Sequence, residues 1–123
     1  MSQEKKFLII EDDRILSNAV SIALADVGFE VSTAFDGEEG LEKAKNEKPD
    51  LILLDLVMPK KSGNEVLKQI RKESEVPILI ATVKEDPETI AQCLENGATG
   101  YFVKSACTLD EIIRKVKESF EWK

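Results

Sequence analysis

Apolar and polar positions along this chain follow two rhythms in turn. Short β-rich runs at Phe7-Leu8-Ile9-Ile10, Leu51-Ile52-Leu53-Leu54, Pro77-Ile78-Leu79-Ile80-Ala81 and Tyr101-Phe102-Val103 read as strands. Another run, Phe29-Glu30-Val31-Ser32-Thr33-Ala34, alternates, as an edge or half-exposed strand does. The unbroken run at 51–54 instead fits a central strand covered on both faces. Between the strands, apolar residues recur at helical spacing. Ile15, Leu16, Ala19, Val20, Ala23, Leu24 and Val27 form the first such stripe, closed by Gly28. Leu41 and Ala44 follow the capping residue Asp36, and that helix stops before Pro49. Val66, Leu67 and Ile70 mark a third helix. Asp86-Pro87-Glu88 opens a fourth that carries Ile90, Ala91 and Leu94 and closes at Asn96-Gly97. Thr108 with Glu111 has the capping-box spacing, ahead of Leu109, Ile112, Ile113, Val116 and Phe120 on one face.

Five strand–helix units in 123 residues predict an α/β fold: a doubly wound, five-stranded parallel sheet with five helices. No linker, repeat or low-complexity segment interrupts the pattern. The expectation is therefore one domain over residues 1–123 with no output domain attached.

Composition narrows the classes of function. Hydrophobic content of 42% and charged content of 33% are ordinary for a globular chain of this length. A net charge of −7 argues against broad binding to nucleic acid or an anionic membrane, and leaves room for cationic partners such as divalent metal ions. The apolar runs are too short to cross a bilayer and the start lacks a secretory-type apolar segment, so the cytoplasm is expected. Cys93 and Cys107 lack metal-type spacing and read as reduced thiols. The absence of histidine excludes a histidine phosphocarrier, a His-based triad and the common zinc sites in this chain.

The residues that carry chemistry stand where strands end. Asp55 closes the third strand, Glu11-Asp12-Asp13 close the first, Thr82 follows the fourth and Lys104 ends the fifth. Each has an ordinary reading when taken alone. An acidic triplet suits a helix N-terminus, with Asp13 as cap. Asp55 is then a polar strand terminus, Thr82 a residue leading into a helix, and Lys104 a snorkelling surface lysine. The set reads differently. Open α/β sheets bind ligands beyond the carboxyl ends of their strands, at the switch point. In the flavodoxin-like order 2-1-3-4-5, the first and third strands are neighbours there, which crowds Glu11, Asp12 and Asp55. Carboxylates so placed repel unless a cation is present. Mg²⁺ suits hard oxygen ligands with open water positions and typically takes one or two carboxylates plus phosphate oxygens. A hydroxyl and an ammonium nearby can hold phosphoryl oxygens. The set therefore predicts a metal-assisted carboxylate nucleophile.

These motifs resemble the receiver domains of two-component response regulators, most closely the stand-alone, CheY-like kind. The likeness is carried by Phe7 to Asp13, Asp50 to Pro59, Pro77 to Thr82 and Gly97 to Lys104, in order and at these spacings, and covers essentially the whole chain. It implies that Asp55 accepts a phosphoryl group from a phosphohistidine on a sensor histidine kinase or histidine phosphotransfer protein. It implies direct Mg²⁺ coordination by Asp12, with Glu11 acting largely through water and with Asp55 and the Val57 backbone carbonyl completing the protein ligands. Thr82 would hydrogen-bond the phosphoryl group, Lys104 would pair with it, and Tyr101 would be the aromatic switch. The chain would be no turnover enzyme beyond autocatalytic transfer to, and hydrolysis from, Asp55. The kinase would dock near the first helix and the loops around Asp55. A downstream protein would bind the fourth helix, fifth strand and fifth helix, without direct contact to DNA or membrane. Trp122 would pack over the end of the fifth helix.

Three departures from the family pattern stand out. Ser105 follows Lys104 where the family usually has proline after a cis peptide, which predicts either a trans bond with a rearranged loop or a retained cis bond. Val83 stands where a small residue is usual and is expected to narrow access to the phosphoryl group. Val57 and Lys84 occupy positions that tune phosphoryl lifetime in the family, and an apolar Val57 predicts slow self-dephosphorylation. Rival readings are a pseudo-receiver that works without phosphorylation, a flavodoxin and a haloacid-dehalogenase-type phosphatase. The flavodoxin is disfavoured by acids where a flavin phosphate would sit, and the phosphatase by Val57 where a second aspartate is wanted.

Overall fold

In a computed structural model that describes residues 5–58, 61–83 and 86–121, strands and helices alternate along the chain. The elements are β1 (Lys6–Ile10), α1 (Arg14–Asp26), β2 (Glu30–Ala34), α2 (Gly37–Glu47), β3 (Leu51–Asp55), α3 (Gly63–Arg71), β4 (Ile78–Thr82), α4 (Pro87–Glu95), β5 (Gly100–Val103) and α5 (Leu109–Glu121). All strands pair in parallel in the order β2-β1-β3-β4-β5, as the sequence predicts.

Burial follows strand position. The central strands β3 and β4 are buried at every residue, whereas alternating β2 lies at an edge and is mostly half-exposed. Odd and even residues feed two separate cores. Phe7, Ile9, Leu51, Leu53, Leu79 and Phe102 pack with Val20 and Leu24 of α1 and with Ile112 and Val116 of α5. Leu8, Ile10, Ile52, Leu54, Ile78 and Ile80 pack with Val66, Leu67 and Ile70 of α3 and with Cys93 of α4.

Local signals set the helix ends. Asp13 caps α1 by accepting from the amides of Ile15 and Leu16 at 3.0 and 3.2 Å. Asp36 accepts from Glu39 N and Asp86 from Glu88 N. The Thr108–Glu111 capping box forms in both directions, at 2.8 and 3.2 Å. A second box, Ser62 with Glu65, starts α3. Gly28 follows α1 with φ near +100°, a conformation that glycine adopts without a Cβ penalty.

The structure corrects several of the expected faces: Val27, Leu94 and Leu109 are 47%, 45% and 38% exposed, and in α4 the residue buried with Ile90 is Cys93 rather than Ala91 or Leu94. Ile15, read as part of the apolar stripe of α1, is 84% exposed, and Ser17 takes the buried place in line with Val20 and Leu24. The stripe runs through Leu16, which packs half-buried against the core, Ser17, Val20 and Leu24, and Ile15 falls on the solvent side of the helix. Trp122, Lys84 and the side chain of Phe120 lie outside the described residues.

Gly63 fixes how α3 meets the sheet. A Cβ there would lie 2.3 Å from the Asp55 carbonyl oxygen and 2.7 Å from Leu56 Cα, and both are backbone atoms with no freedom to rotate away. Gly63→Ala is expected to destabilise the domain by about 1–3 kcal/mol through overpacking, read by urea denaturation.

Candidate functional site

Strand register gathers the polar strand ends. Ile10 pairs with Leu54 and Asp55 with Ala81, so Glu11 and Asp55 leave adjacent strands at the same level. Thr82 pairs with Val103, one residue before Lys104. Residue parity then sorts the side chains. Glu11, Asp55 and Lys104 continue the series 7-9, 51-53 and 102 on the face toward α1 and α5. Thr82 continues the series 78-80 on the face toward α2 and α3, the face against which Tyr101 packs half-buried.

Carboxylate oxygens of Glu11, Asp12 and Asp55 all lie within 4.8 Å of one another. Asp12 is exposed, whereas Glu11 and Asp55 are each only 4% exposed. The Lys104 ammonium closes the group, at 2.7 Å from Glu11 Oε1 and 3.2 Å from Asp55 Oδ1. Backbone amides complete the frame. Asp13 N donates to Glu11 Oε2 at 3.1 Å, and Val57 N donates to Asp55 Oδ1 at 3.3 Å. Leu56 N reaches Ala81 O, and Gly63 N reaches Leu56 O, which pins the chain leaving β3.

These surroundings shift two ionisations. Burial, then the hydrogen bond and charge of Glu11, raise the Asp55 pKa from 3.8 to about 7, against the opposing pull of Lys104. Burial pulls the Lys104 ammonium down, but its hydrogen bond to Glu11 and the charges of Asp55 and Glu11 outweigh this and leave it above its usual value. The site is thus short of positive charge, and its hard, closely spaced oxygens fit a small divalent cation.

The remaining expected residues stand around this cluster. Thr82 is buried at the end of β4, while Val57 and Val83 are exposed, at 69% and 61%. Among the described residues no peptide is cis, so the Lys104–Ser105 bond is trans, and residues Lys104–Ala106 form a short 3-10 turn. Two contributors escaped the sequence reading. Gly63 packs on the backbone of the Asp55 turn, and its signal was the S-x-x-E box at Ser62–Glu65. Ser17 lines a small cavity beneath Glu11 and Asp55, and its signal was the spacing it shares with Val20 and Leu24. A groove of about 800 Å³ lies between α2 and α3, lined by residues between Glu38 and Pro49 and between Gln69 and Val76, away from these groups.

Comparison with known proteins agrees with this geometry. A family model described as response regulator receiver domain matches residues 7–117. The chain is 43% identical over 101 residues to the alkaline phosphatase synthesis transcriptional regulatory protein PhoP of Bacillus subtilis, covering 81% of this chain and 42% of that protein. It is 40% identical over 116 residues to a probable transcriptional regulator, ycf27, of Porphyridium aerugineum, covering 93% and 48%. The chain thus spans about half the length of the curated relatives it matches. Among solved structures, a CheY-like receiver domain protein from Methanospirillum hungatei superposes with a TM-score of 0.91 at 28% identity, covering 97% of this chain and 95% of that one. Chemotaxis response regulator CheY4 of Vibrio cholerae gives 0.89 at 33% identity, covering 95% and 99%. No helix among the described residues is long and apolar enough to cross a membrane.

A carboxyl group whose pKa is raised on folding binds its proton more tightly in the native state. Its contribution to stability therefore falls as pH rises from about 4 to about 7, with the full penalty above 7. In chelator-treated buffer, Asp55→Asn is expected to be more stable than the parent at pH 8, by at most about 4 kcal/mol. The two should converge near pH 4, as read by urea denaturation across that range.

Proposed function

This chain belongs to the response regulator receiver domains, and on that premise we propose that Asp55 is its phosphoacceptor. The observation that carries the reading is the single cluster formed by the oxygens of Glu11, Asp12 and Asp55 with the Lys104 ammonium on its inner side. The donor is a phosphohistidine on a sensor histidine kinase or histidine phosphotransfer protein. An Asp55 carboxylate oxygen attacks phosphorus, the P–N bond breaks, and the imidazole leaves with that electron pair while an acyl phosphate forms. Later, water attacks phosphorus, the P–O bond to Asp55 breaks, and inorganic phosphate is released.

Asp12, Asp55 and the Val57 backbone carbonyl would hold Mg²⁺, with Glu11 acting largely through water. When bound, the ion would supply positive charge against the phosphoryl oxygens and would favour ionised Asp55. Lys104 already reaches Asp55 Oδ1, so a short movement carries its ammonium to an incoming phosphoryl oxygen. Thr82, at the neighbouring strand end, offers the hydroxyl for another. Thr82 and Tyr101 share one face of the sheet, which supports a switch in which phosphorylation draws Thr82 toward the pocket and Tyr101 inward. The signal then passes to a downstream protein through α4, β5 and α5. Activity beyond transfer to and from Asp55 is not part of this reading.

Incubation with Mg²⁺ and acetyl phosphate, followed by intact mass, tests it. One added phosphoryl group is expected, absent in Asp55→Asn and absent when EDTA removes the metal. A parent protein that stays unmodified under saturating donor overturns the reading. Val57 presents an apolar, exposed side chain two residues from the acceptor, a poor group for orienting attacking water. Val57→Asn is therefore expected to shorten the phosphoryl lifetime several-fold, followed as loss of the phosphorylated mass after donor removal.

A further inference from the structure

Ser17 sits oddly in its surroundings. It shares the buried stripe of α1 with Val20 and Leu24 and is 2% exposed, yet its Oγ has no hydrogen-bond partner among the described residues. Buried hydroxyls nearly always find one, because an unpaired group loses its hydration with nothing in return. The usual local remedy in a helix is the carbonyl four residues back. Ser119 of α5 uses it, donating to Lys115 O at 3.0 Å, whereas Ser17 does not bond Asp13 O through its hydroxyl.

Ser17 also borders a cavity of about 10 Å³ whose wall includes Glu11 and Asp55. That is the lower limit of room for one water, and water needs two to four polar partners to settle in such a place. Ser17, Glu11 and Asp55 are the polar residues of its wall, which is otherwise apolar. The two carboxylates are hydrogen-bonded to each other, to the Lys104 ammonium and to the backbone amides of Asp13 and Val57.

We propose that this cavity is a binding site for a single ordered water that bridges the Ser17 hydroxyl to the carboxylates of Glu11 and Asp55, making Ser17 a positioning residue for the acceptor. Ser17 Oγ–H donates to the water oxygen, and the water donates its two hydrogens to the carboxylates. Asp55 is thereby held from beneath as well as by Lys104 and Val57 N. The water site stands on the cavity and the unpaired hydroxyl alone; the positioning role rests on the proposed role of Asp55 as phosphoacceptor.

Atomic-resolution crystal structures of the parent, Ser17→Ala and Ser17→Thr test both. Density is expected for a water within hydrogen-bond distance of Ser17 Oγ and of at least one carboxylate oxygen, kept in Ser17→Thr and lost in Ser17→Ala. With saturating Mg²⁺, Ser17→Ala is expected to take the phosphoryl group from acetyl phosphate roughly ten-fold more slowly. Its thermal midpoint should not fall, and Ser17→Thr should recover most of the rate. A dry cavity, or Ser17 Oγ rotated onto the Asp13 carbonyl, overturns the water site. A Ser17→Ala protein that has lost the water but reacts at the parent rate overturns the positioning role. If the parent takes no phosphoryl group at all, the phosphoacceptor reading fails and the positioning role with it, while the density still decides the water.

Discussion

Carboxylates crowded at the end of a sheet repel one another, and here the ammonium of Lys104 is what lets two of them stay buried together. It touches Glu11 and Asp55 at once, at 2.7 and 3.2 Å. Burial, then the hydrogen bond and charge of Glu11, favour a proton on Asp55, and Lys104 opposes them without winning, so the pKa of Asp55 stays far above its ordinary range. A site with this imbalance attracts further positive charge. A small divalent cation suits that shortage, and in the proposed reaction its charge would also offset the negative oxygens of the phosphoryl group.

Holding such a site requires a rigid frame, because every group in it would be better solvated elsewhere. The frame is the parallel sheet. Its strands β3 and β4 are apolar and buried along their whole length and end in polar residues, so hydrophobic burial upstream offsets desolvation at the tips. Residue parity makes the site directional. Residues on one face of the sheet bring the acids and the lysine together, while Thr82 and Tyr101 fall on the other face, toward the helices that lead away from the site. A group drawn from one face toward the other would alter packing on both, which is what a switch needs. Gly63 completes the frame by letting α3 approach the backbone behind Asp55 without an intervening side chain.

Much of this was legible along the chain. Element order, the edge position of β2, the central position of β3 and the caps at Asp13, Asp36, Asp86 and Thr108 are local patterns, and each appears where the pattern put it. The strand-end cluster was legible only as a set, since each member alone had a commonplace reading. The side of α1 on which Ile15 falls was not legible, because Ile15 and Leu16 are both apolar and the core takes Leu16 and Ser17 instead. Ser17 was passed over because a serine inside a helix usually bonds its own backbone or faces solvent. The peptide after Lys104 was open between two states, and the structure has the trans one.

The sequence by itself determined which segments would be strands and helices, and which end of each strand would carry charge, because period and capping depend on neighbours a few residues apart. Only the tertiary structure decided that Lys104 reaches Glu11 and Asp55 together, that Ser17 lies buried beneath them, and that Thr82 shares a face with Tyr101. Those relations are set by register between strands distant along the chain, and a shift of one residue in any pairing would turn the same side chains to the opposite face of the sheet.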